Sequence, residues 1–274
     1  MYLDELFSVD GLTAAVTGGG GVLCSTMAEA LACAGVRVAV LDLRLDMAQA
    51  VASRIQQAGG QAIAVECNVL DKASIVQAAD AVEKAFGPVD ILINGAGGNK
   101  PQATTSPDLS FFDLPADAAQ WVFNLNFIGT LLPCQVFGKG MAARGHGSIL
   151  NISSMNAFRP LTRVPAYSAA KASVSNFTQW LAVHLAQEYS PGIRVNALAP
   201  GFFLTEQNRF LLTDRDSGAL TERGQKIIDH TPMQRFGTPE DLIGAMFYLL
   251  SPAAKFVTGV VLPVDGGFSA YSGV

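Results

Sequence analysis

Apolar residues along the chain fall into two kinds of segment that alternate from one end to the other. Short, almost wholly apolar runs are each followed by a longer segment whose apolar positions recur at helical spacing. The short runs predict strands over 13–17, 37–42, 62–66, 89–94, 148–153, 193–197 and 260–264. The longer segments predict helices over 23–34, 47–58, 72–86, 117–141, 166–189 and 239–250. Strands apolar on both faces belong to a parallel sheet covered by helices on each side. Strict strand–helix alternation gives the same α/β architecture, a doubly wound parallel sheet of about seven strands. No linker, repeat or low-complexity stretch interrupts it, so residues 1–274 are expected to form a single domain. A less regular insertion interrupts the alternation at about 202–236.

Composition narrows the function. Half of the 274 residues are hydrophobic, only 15% are charged, and the formal net charge is −5. A nucleic-acid partner would need a concentrated basic surface, which this balance does not supply. There is no apolar run long enough to span a membrane, and the N-terminus lacks a basic, then apolar, leader. The expectation is a soluble, cytoplasmic protein. Cys24, Cys33, Cys67 and Cys134 stand singly, so neither a disulfide framework nor zinc is expected, and no other metal site is indicated.

Two places carry candidate chemistry. The first strand runs into Gly18-Gly19-Gly20-Gly21 and then a helix. Such a turn lets backbone N–H groups and the helix dipole meet a pyrophosphate. Asp42 ends the second strand, where a carboxylate can accept from the 2′-OH of an adenosine ribose and repel a 2′-phosphate. NAD is therefore expected, with NADP disfavoured, although Arg44 stands close by. The second place is Tyr167-Ser-Ala-Ala-Lys171, preceded by Ser154 at the end of GSILNISS. Tyrosine and lysine four apart share a helix face. An ammonium there is expected to lower the phenol's pKa, making Tyr167 a proton donor to an oxygen that becomes an alkoxide.

With these motifs in hand, the chain resembles the short-chain dehydrogenase/reductase family from about Leu12 to Phe268. Its cofactor loop TGxxxGxG is met by the stretch from Thr17 to Cys24, with Gly18, Gly20, Gly21, Val22 and Leu23 expected to touch the cofactor. Its NNAG motif is met by Asn94-Gly95-Ala96-Gly97, and its aspartate–valine pair by Asn68-Val69, beside the adenine. Asn126, Ser154, Tyr167 and Lys171 match its catalytic tetrad, and Tyr167 and Lys171 also meet the cofactor. Pro200-Gly201-Phe202-Phe203-Leu204-Thr205 matches the turn at the nicotinamide amide, with Pro200, Gly201, Phe203 and Thr205 as cofactor contacts, and Asp265-Gly266-Gly267 its C-terminal signature. The resemblance implies a Rossmann-type fold, an NAD-dependent oxidoreductase acting on a carbonyl or secondary alcohol, and a homotetramer built on the helices 117–141 and 166–189. It also implies that Asn126 anchors a water linking Lys171 to solvent. Two departures stand out: Val22 and Cys24 replace the loop's second and third glycines. Cys24 is expected to be a small buried residue rather than a reactive one.

The substrate side is expected from Gly98-Asn99-Lys100, 155–163 and the insertion. Asn99, Lys100, Ser154, Asn156, Arg163 and Arg209 are the candidate contacts, with Arg159, Gln207 and Asn208 nearby. Polar and cationic lining suits a keto or hydroxy sugar acid better than a steroid or acyl chain. The closest resemblance is to the family's D-mannonate oxidoreductase branch, which interconverts D-fructuronate and D-mannonate. Two alternatives stay open: another keto-sugar or 3-oxoacyl reductase, and a catalytically silent NAD-binding sensor or scaffold. Ser153 is expected to face the sheet, and His146, His184 and His230 to be surface or packing residues.

Overall fold

Seven parallel strands, in the order β3-β2-β1-β4-β5-β6-β7, form one sheet through the molecule. The structure is a computed structural model, and it describes residues 2–204, 212–214 and 217–273. The strands are β1 (Thr13–Thr17), β2 (Arg37–Asp42), β3 (Ala62–Glu66), β4 (Ile91–Asn94), β5 (Gly147–Ile152), β6 (Ile193–Pro200) and β7 (Val261–Val264). The helices are α1 (Tyr2–Leu6), α2 (Val22–Cys33), α3 (Leu45–Gln57), α4 (Lys72–Phe86), α5 (Ala116–Phe123), α6 (Gly129–Arg144), α7 (Pro165–Glu188), α8 (Glu222–Asp229) and α9 (Ile243–Leu250).

Side-chain alternation along the strands divides the core in two. On one face Val16, Val38, Val40, Ile93 and Leu198 pack under α2, α3 and α9, through Met27, Leu31, Val51 and Met246. On the other face Ala15, Leu41, Leu92, Ile149 and Val195 pack under α4, α6 and α7, through Ile75, Val82, Met141 and Leu185. Strand order reverses between β1 and β4, and a crevice opens there at the strands' C-terminal ends. Thr17, Asn94, Ile152 and Pro200 all end on that rim.

The helix expected over 117–141 is two helices joined by one π turn, Asn124–Ile128. Pro133 lies inside α6 and has no N–H for a helix bond, and the wider turn upstream lets the chain re-aim before it. The segment 239–250 also divides, into a 3-10 turn Pro239–Leu242 and α9. Strand β4 starts at Ile91 rather than at 89, because Asp90 turns its carboxylate to the Thr13 N–H and lies 3.6 Å from Arg144. No helix among the described residues is long and apolar enough to cross a membrane.

A buried polar chain ties the sheet to α7. Asn94 Nδ2 donates to Asn151 Oδ1 at 2.9 Å, and Asn151 Nδ2 donates to Thr178 Oγ1 at 2.9 Å. Thr178 Oγ1 in turn donates to the Val174 carbonyl at 2.8 Å. Asn151→Ala strips partners from two buried groups and should cost ~2–4 kcal/mol. A matching drop in the urea-unfolding free energy, with the denaturant slope unchanged, is the expected result.

Candidate active site

Strand β5 delivers Ser154 to the rim, where its Oγ accepts from the Asn156 N–H at 3.3 Å and caps a short 3-10 turn. Helix α7 begins just beyond, with Pro165 in its first turn, so Tyr167 and Lys171 occupy one face of a stiff element. Lys171 is buried, and its Nζ donates to the Ile152 carbonyl at 2.7 Å. The ammonium also lies 5.7 Å from the centre of the Tyr167 ring. Ser154, Tyr167 and Lys171 thus line one wall of a cleft of about 320 Å³. Val22, Leu23, Gly95, Gly97, Gly98 and the run 200–203 line the rest.

Electrostatics correct one expectation. Burial raises the Tyr167 phenol above its ordinary pKa, and a hydrogen bond with Ser154 offsets part of that rise. Burial outweighs any lowering by the Lys171 ammonium, whose Nζ donates to the Ile152 carbonyl. Burial instead lowers the Lys171 ammonium to about 8. Tyr167 is therefore a phenol that holds its proton, and Lys171 exchanges a proton close to neutral pH. Ser153 is also corrected: its Oγ donates to the Lys171 carbonyl at 3.2 Å and meets Ser175 Oγ at 2.7 Å, so it faces α7.

Asn126 sits in the π turn, fully buried. Its Nδ2 donates to the carbonyls of Gly98 and Val122, each at 2.7 Å, and its Oδ1 accepts from the Gly98 N–H at 3.1 Å. The side chain braces the loop after β4. One Oδ1 lone pair remains, and the point where a Cβ on Gly97 would sit lies 2.7 Å from that oxygen and 3.3 Å from Lys171 Nζ. Those are hydrogen-bond distances, with room left by the missing side chain.

The glycine loop fits a dinucleotide. Gly18 has φ of +61°, and a side chain there would strike the Ala96 backbone at 2.8 Å. Helix α2 has Gly21 as its N-cap and no side chain capping its first turn, which leaves the amides of Val22 and Leu23 facing an anion's position. Asp42 accepts from the Gly20 and Arg44 N–H groups, each at 3.0 Å, which fixes the carboxylate beside the loop. Other expected contacts lie deeper. Asn94 is buried in the polar chain described above, so its side chain is a strut of the sheet rather than part of the cleft. Val69 is buried, while Asn68 is exposed with its Oδ1 accepting from the Leu70 N–H. Thr205 and Arg209, with Gln207 and Asn208, lie outside the described residues.

The candidate substrate residues are dispersed. Asn99 donates to Thr104 Oγ1 at 2.8 Å, and Lys100 lies 4.9 Å above the Trp121 ring. Arg159 donates to the Ser269 carbonyl at 3.1 Å. Asn156 is buried, and its Oδ1 has no hydrogen-bond partner among the described residues. Arg163 alone lines a second groove, of about 470 Å³, which adjoins the cleft at Phe202. Arg223, Lys226 and His230 line it too, and sequence reasoning missed them in this role. Their signal was present as positions i, i+3 and i+7 of one helix face.

Cys24 is buried as expected, with its thiol pushed up to about 12 by burial. Its Sγ occupies the place a side chain on Gly95 would take, since a Cβ there would collide with the sulfur. The family-like pattern would have glycine at 24 and asparagine at 95; here the bulk has changed sides.

Comparison with known proteins agrees with this geometry. A family model described as enoyl-(acyl carrier protein) reductase matches residues 22–269. An uncharacterized oxidoreductase of Haemophilus influenzae is 52% identical over 270 residues, covering 94% of this chain and 93% of that protein. A solved structure of a candidate D-mannonate oxidoreductase from Haemophilus influenza, with NAD bound, is 50% identical with a TM-score of 0.91, covering 97% of this chain and 98% of that one. A gluconate 5-dehydrogenase from Burkholderia cenocepacia, in complex with NADP and tartrate, is 31% identical with a TM-score of 0.86, covering 97% and 98%.

Two measurements test the site. Gly95→Ala should destabilise the fold by ~1–3 kcal/mol through overpacking and weaken NADH binding. Cys24→Gly alone should leave NADH affinity unchanged or tighter, and the double variant should recover most of what Gly95→Ala lost. The second concerns Lys171. Between about 8 and its ordinary value of 10.5, the unfolded chain holds the proton that the native site releases. Wild type should therefore gain stability over Lys171→Met as pH rises through that window, by up to ~1.4 kcal/mol per pH unit. Urea unfolding at several pH values reads the difference.

Proposed function

The chain belongs to the short-chain dehydrogenase/reductase family, as an oxidoreductase acting on alcohol and keto groups, and we propose that it interconverts a keto sugar acid and its hydroxy acid, D-fructuronate and D-mannonate, with NAD(H). The observation that carries the chemistry is the meeting of Ser154, Tyr167 and Lys171 on one wall of a cleft that the start of α2, directly after the glycine loop, and the loop after β4 also line.

When bound, the nicotinamide supplies or accepts the hydride. In the reductive direction Tyr167 donates its proton to the substrate oxygen, and Ser154 orients that oxygen with a hydrogen bond. The raised pKa of Tyr167 keeps the proton in place until charge develops on the oxygen. Lys171, with its pKa near 8, returns a proton through a water held between its Nζ and Asn126 Oδ1, in the space beside Gly97. Asp42 favours NAD over NADP, because a fixed carboxylate repels a 2′-phosphate. The sugar-acid reading draws support from the two solved relatives, a candidate D-mannonate oxidoreductase and a gluconate 5-dehydrogenase, and from the cationic groove beside the cleft.

A homotetramer is part of the proposal. An aromatic file runs Phe123–Phe127–Phe177–Trp180–His184–Tyr189 along α5–α7, and the exposed faces of Trp180 and Tyr189 suit burial against a second copy.

The test follows NADH oxidation with D-fructuronate beside other keto sugar acids and an acetoacetyl thioester. Fructuronate-selective turnover is expected. Tyr167→Phe should lower it by ~10²–10⁴-fold while NADH binding stays intact. Retained turnover in that variant would remove Tyr167 from the mechanism, and NADH binding without turnover of any carbonyl would favour the sensor alternative.

A further inference from the structure

We infer that the groove beside the cleft is the dock for the substrate's carboxylate, with Arg163 and Arg223 as the groups that hold it. The inference rests on the sugar-acid reading above and gives it an address. Among the residues lining the groove, Arg163, Arg223, Lys226 and His230 face a single carboxylate, Glu222. Lys226 already spends its charge on Glu222 at 2.7 Å. Among the described residues, neither arginine has a carboxylate partner. A chain with a formal net charge of −5 thus keeps an excess of positive charge at one concave place beside its catalytic wall.

The placement is structural rather than incidental. Arg223, Lys226, Ile227 and His230 stand at i, i+3, i+4 and i+7 of α8 and its C-cap, so they share one face. Ile227 is buried and anchors that face, while the Thr221 N–H donates to the Leu212 carbonyl at 3.0 Å. Thr221 Oγ1 accepts from the Gly224 N–H at 3.0 Å and caps the helix. His230 Nδ1 lies 2.8 Å from the Lys226 carbonyl. Across the groove, the Arg163 carbonyl accepts from the Thr105 N–H at 3.0 Å, which holds the chain immediately before α7. Arg163 therefore sits one helical turn ahead of Tyr167.

Phe202 lines both cavities and packs edge-on against Phe268, with ring centres 5.2 Å apart. A substrate that reaches from the catalytic wall past Phe202 meets apolar surface along its carbon chain and cations at its far end. Guanidinium groups suit that end, since each offers a planar fork to a carboxylate. A carbonyl at one end of a short polyhydroxy chain and a carboxylate at the other is the ligand that uses both places at once.

The experiment compares D-fructuronate with D-fructose, in which a hydroxymethyl group replaces the carboxylate, using wild type, Arg163→Gln and Arg223→Gln. Each variant should raise KM for the acid by ~10–100-fold, leave kcat within a few-fold, and leave KM for the ketose unchanged. Arg223→Lys, which keeps the charge but not the fork, should fall between. Wild-type turnover of the acid with both Gln variants unaffected would overturn the dock and leave the sugar-acid reading standing. A wild type that turns over no sugar acid would overturn the reading and the dock with it. Equal loss on acid and ketose, or loss of NADH binding in the Arg223 variants, would make these arginines structural and also overturn the dock.

Discussion

A single hydrogen bond, from Lys171 Nζ to the carbonyl of Ile152, joins the longest helix to the end of a central strand. A buried ammonium needs an acceptor, and here the acceptor is backbone at the rim of the sheet. Satisfying it sets how far α7 slides along β5, and so where Tyr167 stands relative to Ser154. The phenol keeps its proton for a separate reason: burial disfavours the phenolate. The site is assembled from groups whose burial favours their neutral forms, a setting in which a proton moves only once the substrate oxygen demands it.

Around that bond the molecule separates its tasks. Recognition of the dinucleotide falls to backbone, through bare amides at the start of α2 and glycines that bring chain segments close. Bracing falls to carboxamides, with Asn126 holding the loop after β4 and Asn151 tying sheet to helix. In the proposed reading, discrimination among substrates falls to α8 and the segment before α7, outside the strand–helix alternation. Those parts can vary without disturbing the sheet that holds the catalytic wall.

Much of this was legible in the sequence, for identifiable reasons. Parallel strands buried on both faces produce unbroken apolar runs, so the strands were found, with β1, β2 and β3 at their observed bounds. The Tyr167–Lys171 spacing and the strand-end serine mark a helix face beside a rim, and the three do meet. What stayed hidden depends on contacts between distant segments. The π turn at Asn126 leaves the apolar period almost intact, so 117–141 looked continuous. The direction of the Tyr167 shift turned on how deeply the ring is buried, which the Tyr-Lys spacing does not display. Asn94 looked like a cofactor contact because of its motif, yet its side-chain partners Asn151 and Cys134 lie far along the chain. The cations of α8 resemble an ordinary solvated surface until the groove beneath them is seen.

The exchange of bulk between positions 24 and 95 constrains how such a loop can have arisen. The two residues are distant in the chain but share one volume beneath the cleft, which holds one side chain and not two. A state with both positions filled overpacks that volume, whereas a state with both emptied leaves only a small void. Between the arrangement with the larger group at 95 and the one seen here, sterics therefore favour the route that empties 95 before a thiol enters at 24. The glycine at 95 and the cysteine opposite act as one unit, and neither is free to change alone.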